Sequence, residues 1–338
     1  MAAAGLDLQE DLASKGVMGL FPVLKALPWI RRLFHQTLDD LRQDPPAALV
    51  LVDYPGFNIR LAAQARKLGI PVIYYISPQV WAWAAWRVKK LARLVDLMLV
   101  ILPFEEQVYR GSGLRTVFTG HPLMDRLGRS PPDQASVEAL RSGGSAPLVG
   151  LFPGSRRHVV QSLLPVFLDA ARALRGLSGT KEARFALALA QENHRELAAS
   201  LVPDDLPLEI SVGRSLEIMS AADICLTSSG TTTLEIAGMG TPFVLGYRVS
   251  PLLYLLGRAL ISVEHIGLVN LVAGRSVVPE HIGVRSFGEA AARDLNNLWT
   301  DEKARDLQLE GLAEVRAKLG EQNSYLRAAQ EIVGFVEA

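Results

Sequence analysis

The chain has 338 residues, with 35 Lys+Arg against 35 Asp+Glu and 49% hydrophobic residues at a mean hydropathy of +0.20. That length accommodates two domains with separate cores, and a net charge of zero argues against a nucleic-acid binder, which carries a basic excess. No apolar run reaches the length of a bilayer span, and Asp7, Glu10 and Asp11 break the basic-then-apolar order of a signal peptide.

The first segment with a pattern is Val17–Phe34, dense in large apolar groups with Lys25, Arg31 and Arg32 interspersed. It suits either a bilayer interface, where its cations meet anionic lipid, or a buried core segment. Pro28 argues against one straight helix there. A strand over Ala48–Val52 then runs into Asp53-Tyr-Pro-Gly-Phe-Asn58. A carboxylate just past a buried strand serves either as a general base on a hydroxyl or as a turn or cap residue. Ile59–Leu68 reads as helix and Val72–Ile76 as strand, ending in Ser77-Pro-Gln-Val-Trp-Ala-Trp83 with Trp86 close behind. Those indoles either line an apolar or sugar-binding wall or fill a core. Helix over Trp86–Leu94 and strands over Leu97–Leu102 and Thr116–Phe118 follow. Gly120-His-Pro122 breaks the pattern, and Arg129–Gly144 is rich in Ser, Pro, Gly and charge, so a boundary is expected between Gly120 and Ser145.

Beyond it, a strand over Leu148–Phe152 leads through Pro-Gly-Ser155-Arg156 into a helix over Val159–Leu174. Gly154 allows close backbone approach to a ligand, and Arg156 at the helix start is placed to fork onto a diphosphate. The alternative is a surface arginine near a turn. Strands over Phe185–Leu189 and Glu209–Val212, a helix over Leu216–Ala221 and a strand over Ile224–Thr227 come next. Cys225, the single cysteine, lies within the last and reads as inert core. That strand ends in a cluster of hydroxyls around Ser229, Gly230 and Thr231, before a helix over Thr233–Met239 that carries Glu235 and closes at Gly240-Thr-Pro242. Free amides and the helix dipole favour an anion at such a start, and Glu235 is placed to accept from a ribose; a plain capped helix is the alternative. A strand over Phe243–Leu245 follows, and Asp301–Ala338 reads as helical.

Alternation of this kind predicts an α/β protein with parallel sheets covered on both faces and ligands beyond the carboxyl ends of the strands. Two doubly wound, Rossmann-like lobes with a cleft between them are expected: 1–122, 123–300, and a helical tail, 301–338, that packs back on the first lobe. The six histidines are scattered without ligand spacing, and no Walker loop, Gly-x-Ser-x-Gly elbow or Gly-x-Gly-x-x-Gly fingerprint is present. This weighs against a metal site and against hydrolase, ATPase and dehydrogenase chemistry.

Taken together the motifs resemble those of lipid-A-disaccharide synthase, a family of GT-B glycosyltransferases. The resemblance rests on Val17-Met-Gly19, Asp53 to Asn58, Ser77 to Trp83, Leu102-Pro-Phe-Glu105, Gly120-His121, Pro153 to Arg156, Ser229-Gly-Thr231 with Leu234-Glu235, Gly246-Tyr-Arg248 and Asn270 to Gly274. It implies an inverting transfer that joins UDP-2,3-diacylglucosamine to 2,3-diacylglucosamine 1-phosphate, giving the β(1→6) disaccharide 1-phosphate and UDP. On it, Ser155, Arg156, Ser229, Gly230, Thr231, Glu235 and Asn270 would hold UDP, and Asp53 falls on an essential acidic position near the acceptor. Arg156 would also stabilise the leaving diphosphate, with no metal or other cofactor. The resemblance further implies a homodimer in the cytoplasm, peripheral to the inner face of the cytoplasmic membrane, with Val17–Phe34 toward the acyl chains. The family also has an earlier strand and a Gly-Glu-x-Ser-Gly-Asp loop upstream of the point matching Met1. The expectation is that Met1 is an internal position of a longer protein, that the first lobe lacks its central strand, and that the base is Asp53 or an upstream carboxylate. The rival readings are a UDP-N-acetylglucosamine 2-epimerase-like enzyme and a non-catalytic UDP-sugar-binding remnant.

Overall fold

The computed structural model describes residues 20–144, 146–251 and 263–338, with Gly5, Asp7, Glu10 and Leu255, and gives residues 20–26 as backbone only. Positions 17–19 of the oily N-terminal segment thus lie outside the described residues. The rest of that segment belongs to helix α1 (Leu20–Gln43), which runs unbroken through Pro28. Pro28 therefore does not interrupt the helix. The Pro28 ring faces solvent, and Leu33 and Leu41 beyond it are buried against the next helix, which fixes the second half of α1.

The first sheet is parallel, with order β1-β2-β3-β4: β1 (Leu49–Val52), β2 (Val72–Tyr75), β3 (Leu97–Val100) and β4 (Arg115–Phe118). The connecting helices are α2 (Pro55–Lys67), α3 (Val80–Trp83), α4 (Val88–Leu94) and α5 (Glu105–Tyr109). Leu97 to Val100 are completely buried, as expected for a strand covered on both faces. By contrast β1 is at the sheet edge among the described residues, with Val50 39% and Val52 37% exposed.

Two short helices, α6 (Pro122–Arg129) and α7 (Gln134–Arg141), occupy the Ser/Pro-rich stretch. Asp133 starts α7 by accepting from Ser136 N–H. A six-stranded parallel sheet follows in the order β10-β9-β8-β5-β6-β7. Its strands are β5 (Leu148–Phe152), β6 (Arg184–Leu189), β7 (Leu208–Val212), β8 (Ile224–Thr227), β9 (Phe243–Arg248) and β10 (Glu280–Gly283). The helices are α8 (Arg157–Arg175), α9 (Arg195–Leu201), α10 (Ser215–Ala221), α11 (Thr232–Met239), α12 (Leu268–Ala273), α13 (Gly288–Thr300), α14 (Glu302–Lys318) and α15 (Ser324–Val336). In α8, Val160, Leu163, Leu164, Phe167, Leu168, Ala171 and Leu174 recur at helical spacing and bury one face on the sheet. Cys225 lies in the core on the opposite face.

The two tail helices divide between the lobes. Leu312 and Val315 of α14, and Leu319 just after it, join the core of the second sheet, whereas Ala328, Ile332 and Phe335 of α15 cover Ile73, Leu97 and Leu99 of the first. Arg115 and Glu331 pair at 2.8 Å across that contact. The chain therefore crosses between lobes twice, and the crossings touch: His121 N–H donates to Leu319 O at 2.9 Å. No helix among the described residues is long and apolar enough to cross a membrane.

Candidate active site between the lobes

In the second sheet the strand order reverses between β5 and β8, which is where open α/β sheets leave a crevice beyond their carboxyl ends. Both predicted ligand loops emerge there. Phe152 and Thr227 are register partners at the ends of these strands, and Ser228 N–H donates to Phe152 O at 2.9 Å. Gly154 adopts φ +120, and a Cβ on it would meet Val159 at 3.0 Å and Ser228 Oγ at 3.3 Å. The first loop thus folds tightly against the second. Ser155 and Arg156 are exposed, and Arg156 is the N-cap residue of α8. Across from them Gly230, at φ +145, turns the chain into α11, whose N-cap is the exposed Thr231. Two helix N-termini therefore face one crevice, a ready site for a diphosphate.

The second loop is held in place from within. Thr233 Oγ1 donates to Gly230 O at 2.8 Å and Ser229 Oγ to Ile266 O at 3.3 Å. Glu235, in the first turn of α11, has its side chain 11% exposed and pairs at 2.9 Å with Arg126 of α6. Asn270 is placed differently from the others. It is completely buried, its Oδ1 accepts from Val277 and Val278 N–H, and its Nδ2 donates to Val278 O and Glu280. An amide has four such positions, and all four are used within the protein. Asn270 and Glu280, which also accepts from Ile266 and Gly267 N–H, shape the turn behind the cleft rather than lining it.

On the first lobe, Asp53 lies just beyond β1. Asp53 and Tyr54 both sit at left-handed φ, 46° and 44°, a costly arrangement for non-glycine residues of about 1–3 kcal/mol each. The Asp53 backbone is over-determined: its N–H donates to Tyr75 O, while its carbonyl accepts from Asn58 Nδ2 at 2.7 Å and Tyr74 Oη at 2.6 Å. Burial, and then the nearby Asp53 charge, push the Tyr74 phenol up, so it stays a neutral donor. With its backbone fixed, the Asp53 side chain is left exposed. Pro55 at the start of α2 suits its fixed φ and missing N–H.

The next strand ends in similar strain. Ile76 takes φ 64, an outlier for a β-branched residue, directly before the tryptophan string. Trp81 and Trp83 line a cavity of about 270 Å³ together with Gln79, Ser229, Gly230, His265 and Ile266. Trp83 is 53% and Trp86 69% exposed, and the Arg87 guanidinium lies over both rings at 4.6 and 5.1 Å. These two indoles are therefore not core. The cavity joins Ser229 and Gly230 to the opposite lobe; Asp53, Ser155, Arg156, Thr231, Glu235 and Asn270 are not in its wall.

A second groove, of about 420 Å³, opens beside Asp53. Leu27, Ile30 and Phe34 of α1 face Tyr54 and Phe57, with Arg31, His35 and Arg60 at its border. Sequence reasoning missed Arg126, His265 and Glu280. Arg126 lies in the stretch read as a linker, His265 on a loop without pattern, and Glu280 on the edge strand β10, whose short Glu-His-Ile-Gly run gives no apolar signal.

Comparison with known proteins agrees with this arrangement. The lipid-A-disaccharide synthetase family profile matches residues 1–333. The chain is 42% identical over 339 residues to the lipid-A-disaccharide synthase of Trichlorobacter lovleyi, covering 100% of this chain and 88% of that one. Among solved structures, UDP-GlcNAc 2-epimerase from Neisseria meningitidis bound to UDP-GlcNAc superposes with a TM-score of 0.65 at 12% identity, covering 98% and 87%. The OtsA apo structure does so with a TM-score of 0.57 at 12% identity, covering 95% and 79%. These distant likenesses establish the two-lobed GT-B fold, and the sequence match establishes the rest: the chain belongs to the lipid-A-disaccharide synthase family, glycosyltransferases of lipid A biosynthesis.

Proposed function

We propose that the chain transfers the sugar of UDP-2,3-diacylglucosamine to the 6-hydroxyl of 2,3-diacylglucosamine 1-phosphate with inversion, releasing UDP. The observation that carries this is the pairing of two helix N-termini at the β5/β8 switch point with an exposed carboxylate, Asp53, on a strained turn at the carboxyl edge of the facing sheet. Asp53 takes the proton from the acceptor hydroxyl, which attacks the anomeric carbon opposite UDP. Arg156 and the α8 and α11 N-termini bear the charge that develops on the diphosphate. Ser155, Ser229, Gly230 and Thr231 hold UDP, and Glu235 accepts from its ribose with Arg126 fixing one of its oxygens. Asn270 acts through the turn it supports.

The groove between α1 and α2 takes an acyl chain, and Arg31 and Arg60 at its border meet phosphate, either of the acceptor or of lipid at the membrane surface. The enzyme works as a homodimer on the cytoplasmic face of the inner membrane. The test is release of UDP by the chain with each substrate alone and with both. UDP that appears only when the acylated acceptor is added supports transfer. Consumption of UDP-sugar without acceptor supports epimerase-like chemistry, and UDP binding without turnover supports a non-catalytic binder.

A further inference from the structure

Helix α5 is only five residues long, yet it brackets the tryptophan string from behind. At one end of the string, Ser77 Oγ and Tyr109 Oη lie 2.7 Å apart, both buried. Near the other, Trp81 Nε1 donates to Glu105 Oε1 at 3.1 Å while Leu102 N–H donates to Glu105 Oε2, also at 3.1 Å. Phe104 meets the Trp81 ring edge to face, 5.0 Å between centroids. Glu105 is 1% exposed, whereas Trp81 is half-buried and lines the same cavity as Ser229 and Gly230. A buried carboxylate is costly to place, and the donors it meets here are neutral. Leucine or methionine would fill the same volume without that penalty, but neither would fix the indole.

The geometry points to Glu105 as a positioning residue whose carboxylate clamps the Trp81 indole as one wall of the sugar-nucleotide cleft. This deepens the transfer reading above and relies on it only for the identity of the ligand. Two oxygens that both accept need the ionised group; a protonated carboxyl gives up part of one bond. Burial pushes the Glu105 carboxyl up to about 7, opposed by the bonds from Leu102, Trp81 and Ile101. The clamp is therefore firm above neutrality and loosens below it. Of the groups around it, the Tyr109 hydroxyl, pushed up to about 12 by burial, stays neutral through that range. Glu106 points away and accepts from Phe118 N–H. His265 borders the same cavity and is the competing titratable group.

The test is Glu105→Gln in the full chain, which keeps the shape but replaces one acceptor with a donor. In the free wild-type protein, the Trp81 contribution to near-ultraviolet circular dichroism, assigned by difference from Trp81→Phe, should titrate between about pH 6 and about pH 8. In E105Q it should stay at its acid-side value throughout. With UDP-sugar, E105Q should raise KM roughly three- to tenfold at pH 8 and leave kcat within about twofold, since the group touches no reacting atom. Trp81→Phe should raise KM similarly, and the double variant should add nothing further. A transition that persists in E105Q does not come from Glu105 and overturns the proposal, as does strict additivity of the two variants. Because the tryptophan signal needs no substrate, a chain that clamps Trp81 but transfers no sugar would reject the transfer reading and leave the clamp standing.

Discussion

The proposed base, Asp53, combines a strained, fixed backbone with an exposed side chain. Its backbone has three fixed partners and a left-handed φ, whereas its carboxylate is solvent-exposed. Stored strain of this kind is retained when it aims a group, and the group here faces the same edge as the tryptophan string. Asp53→Asn should keep the turn, since asparagine tolerates αL, and lower kcat by at least about 100-fold with little change in KM for the UDP-sugar. Arg156→Ala should cost a similar factor, through loss of charge stabilisation on the departing diphosphate. Steady-state kinetics of both variants check this; near-normal rates in either would remove that residue from its assigned role. The position of Asp53 was legible in the sequence because an apolar strand ends just before it. The strain was not, because nothing in Val-Asp-Tyr-Pro announces two successive positive φ angles. The surroundings of Asn270 were likewise illegible: only the structure shows its amide saturated by Val277, Val278 and Glu280.

At the level of elements, strands β2, β3, β5, β6, β8 and β9 were readable because their apolar runs are buried on both faces, and β1, β4 and β7 were readable from shorter apolar runs at more exposed positions. Strand β10, polar and at an edge, was not. Nor was the division of the tail, since the faces of α14 and α15 that bury different lobes carry similar residues in sequence. Of the two tail helices α15 packs on the first lobe, through Ala328, Ile332 and Phe335, and its start is held by Asp125 of α6. Its carboxylate accepts from Ser324 Oγ and from the N–H groups of Asn323 and Tyr325, capping α15 from a distant part of the chain. Burial alone would raise this carboxyl, but the bonds led by Ser324 outweigh it and hold it below the usual range. A carboxylate depressed in the folded state contributes stability above its unfolded pKa of about 4 and loses it as pH falls through the folded value. Asp125→Asn should therefore destabilise the protein at pH 7 by about 1–3 kcal/mol, and the gap to wild type should narrow as the solution is acidified. Urea unfolding of both proteins at several pH values measures it. A gap that widens toward acid would contradict the assignment.

Across the whole molecule, the two chain crossings lie side by side. Gly120, at φ +89, and Gly320, at φ +86, mark them, and a Cβ on Gly320 would come within 3.4 Å of Gly120 Cα. The same two lobes meet across the cleft, with Trp81 and Trp83 on one side and Ser229 and Gly230 on the other. The Arg126–Glu235 pair ties the helix after the first crossing, α6, to α11. The two-lobed design could be anticipated from strand–helix alternation and the break at Gly120-His-Pro122. The pairing of the crossings could not, since it joins positions far apart in the chain. The most direct measurement of the account is a crystal structure of the chain with UDP. The diphosphate should lie in the β5/β8 crevice, within hydrogen-bond distance (about 3 Å) of amides at the starts of α8 and α11 and of Arg156, with the open side of the site facing Asp53. UDP bound outside that crevice, or a diphosphate touching neither helix start, would contradict it.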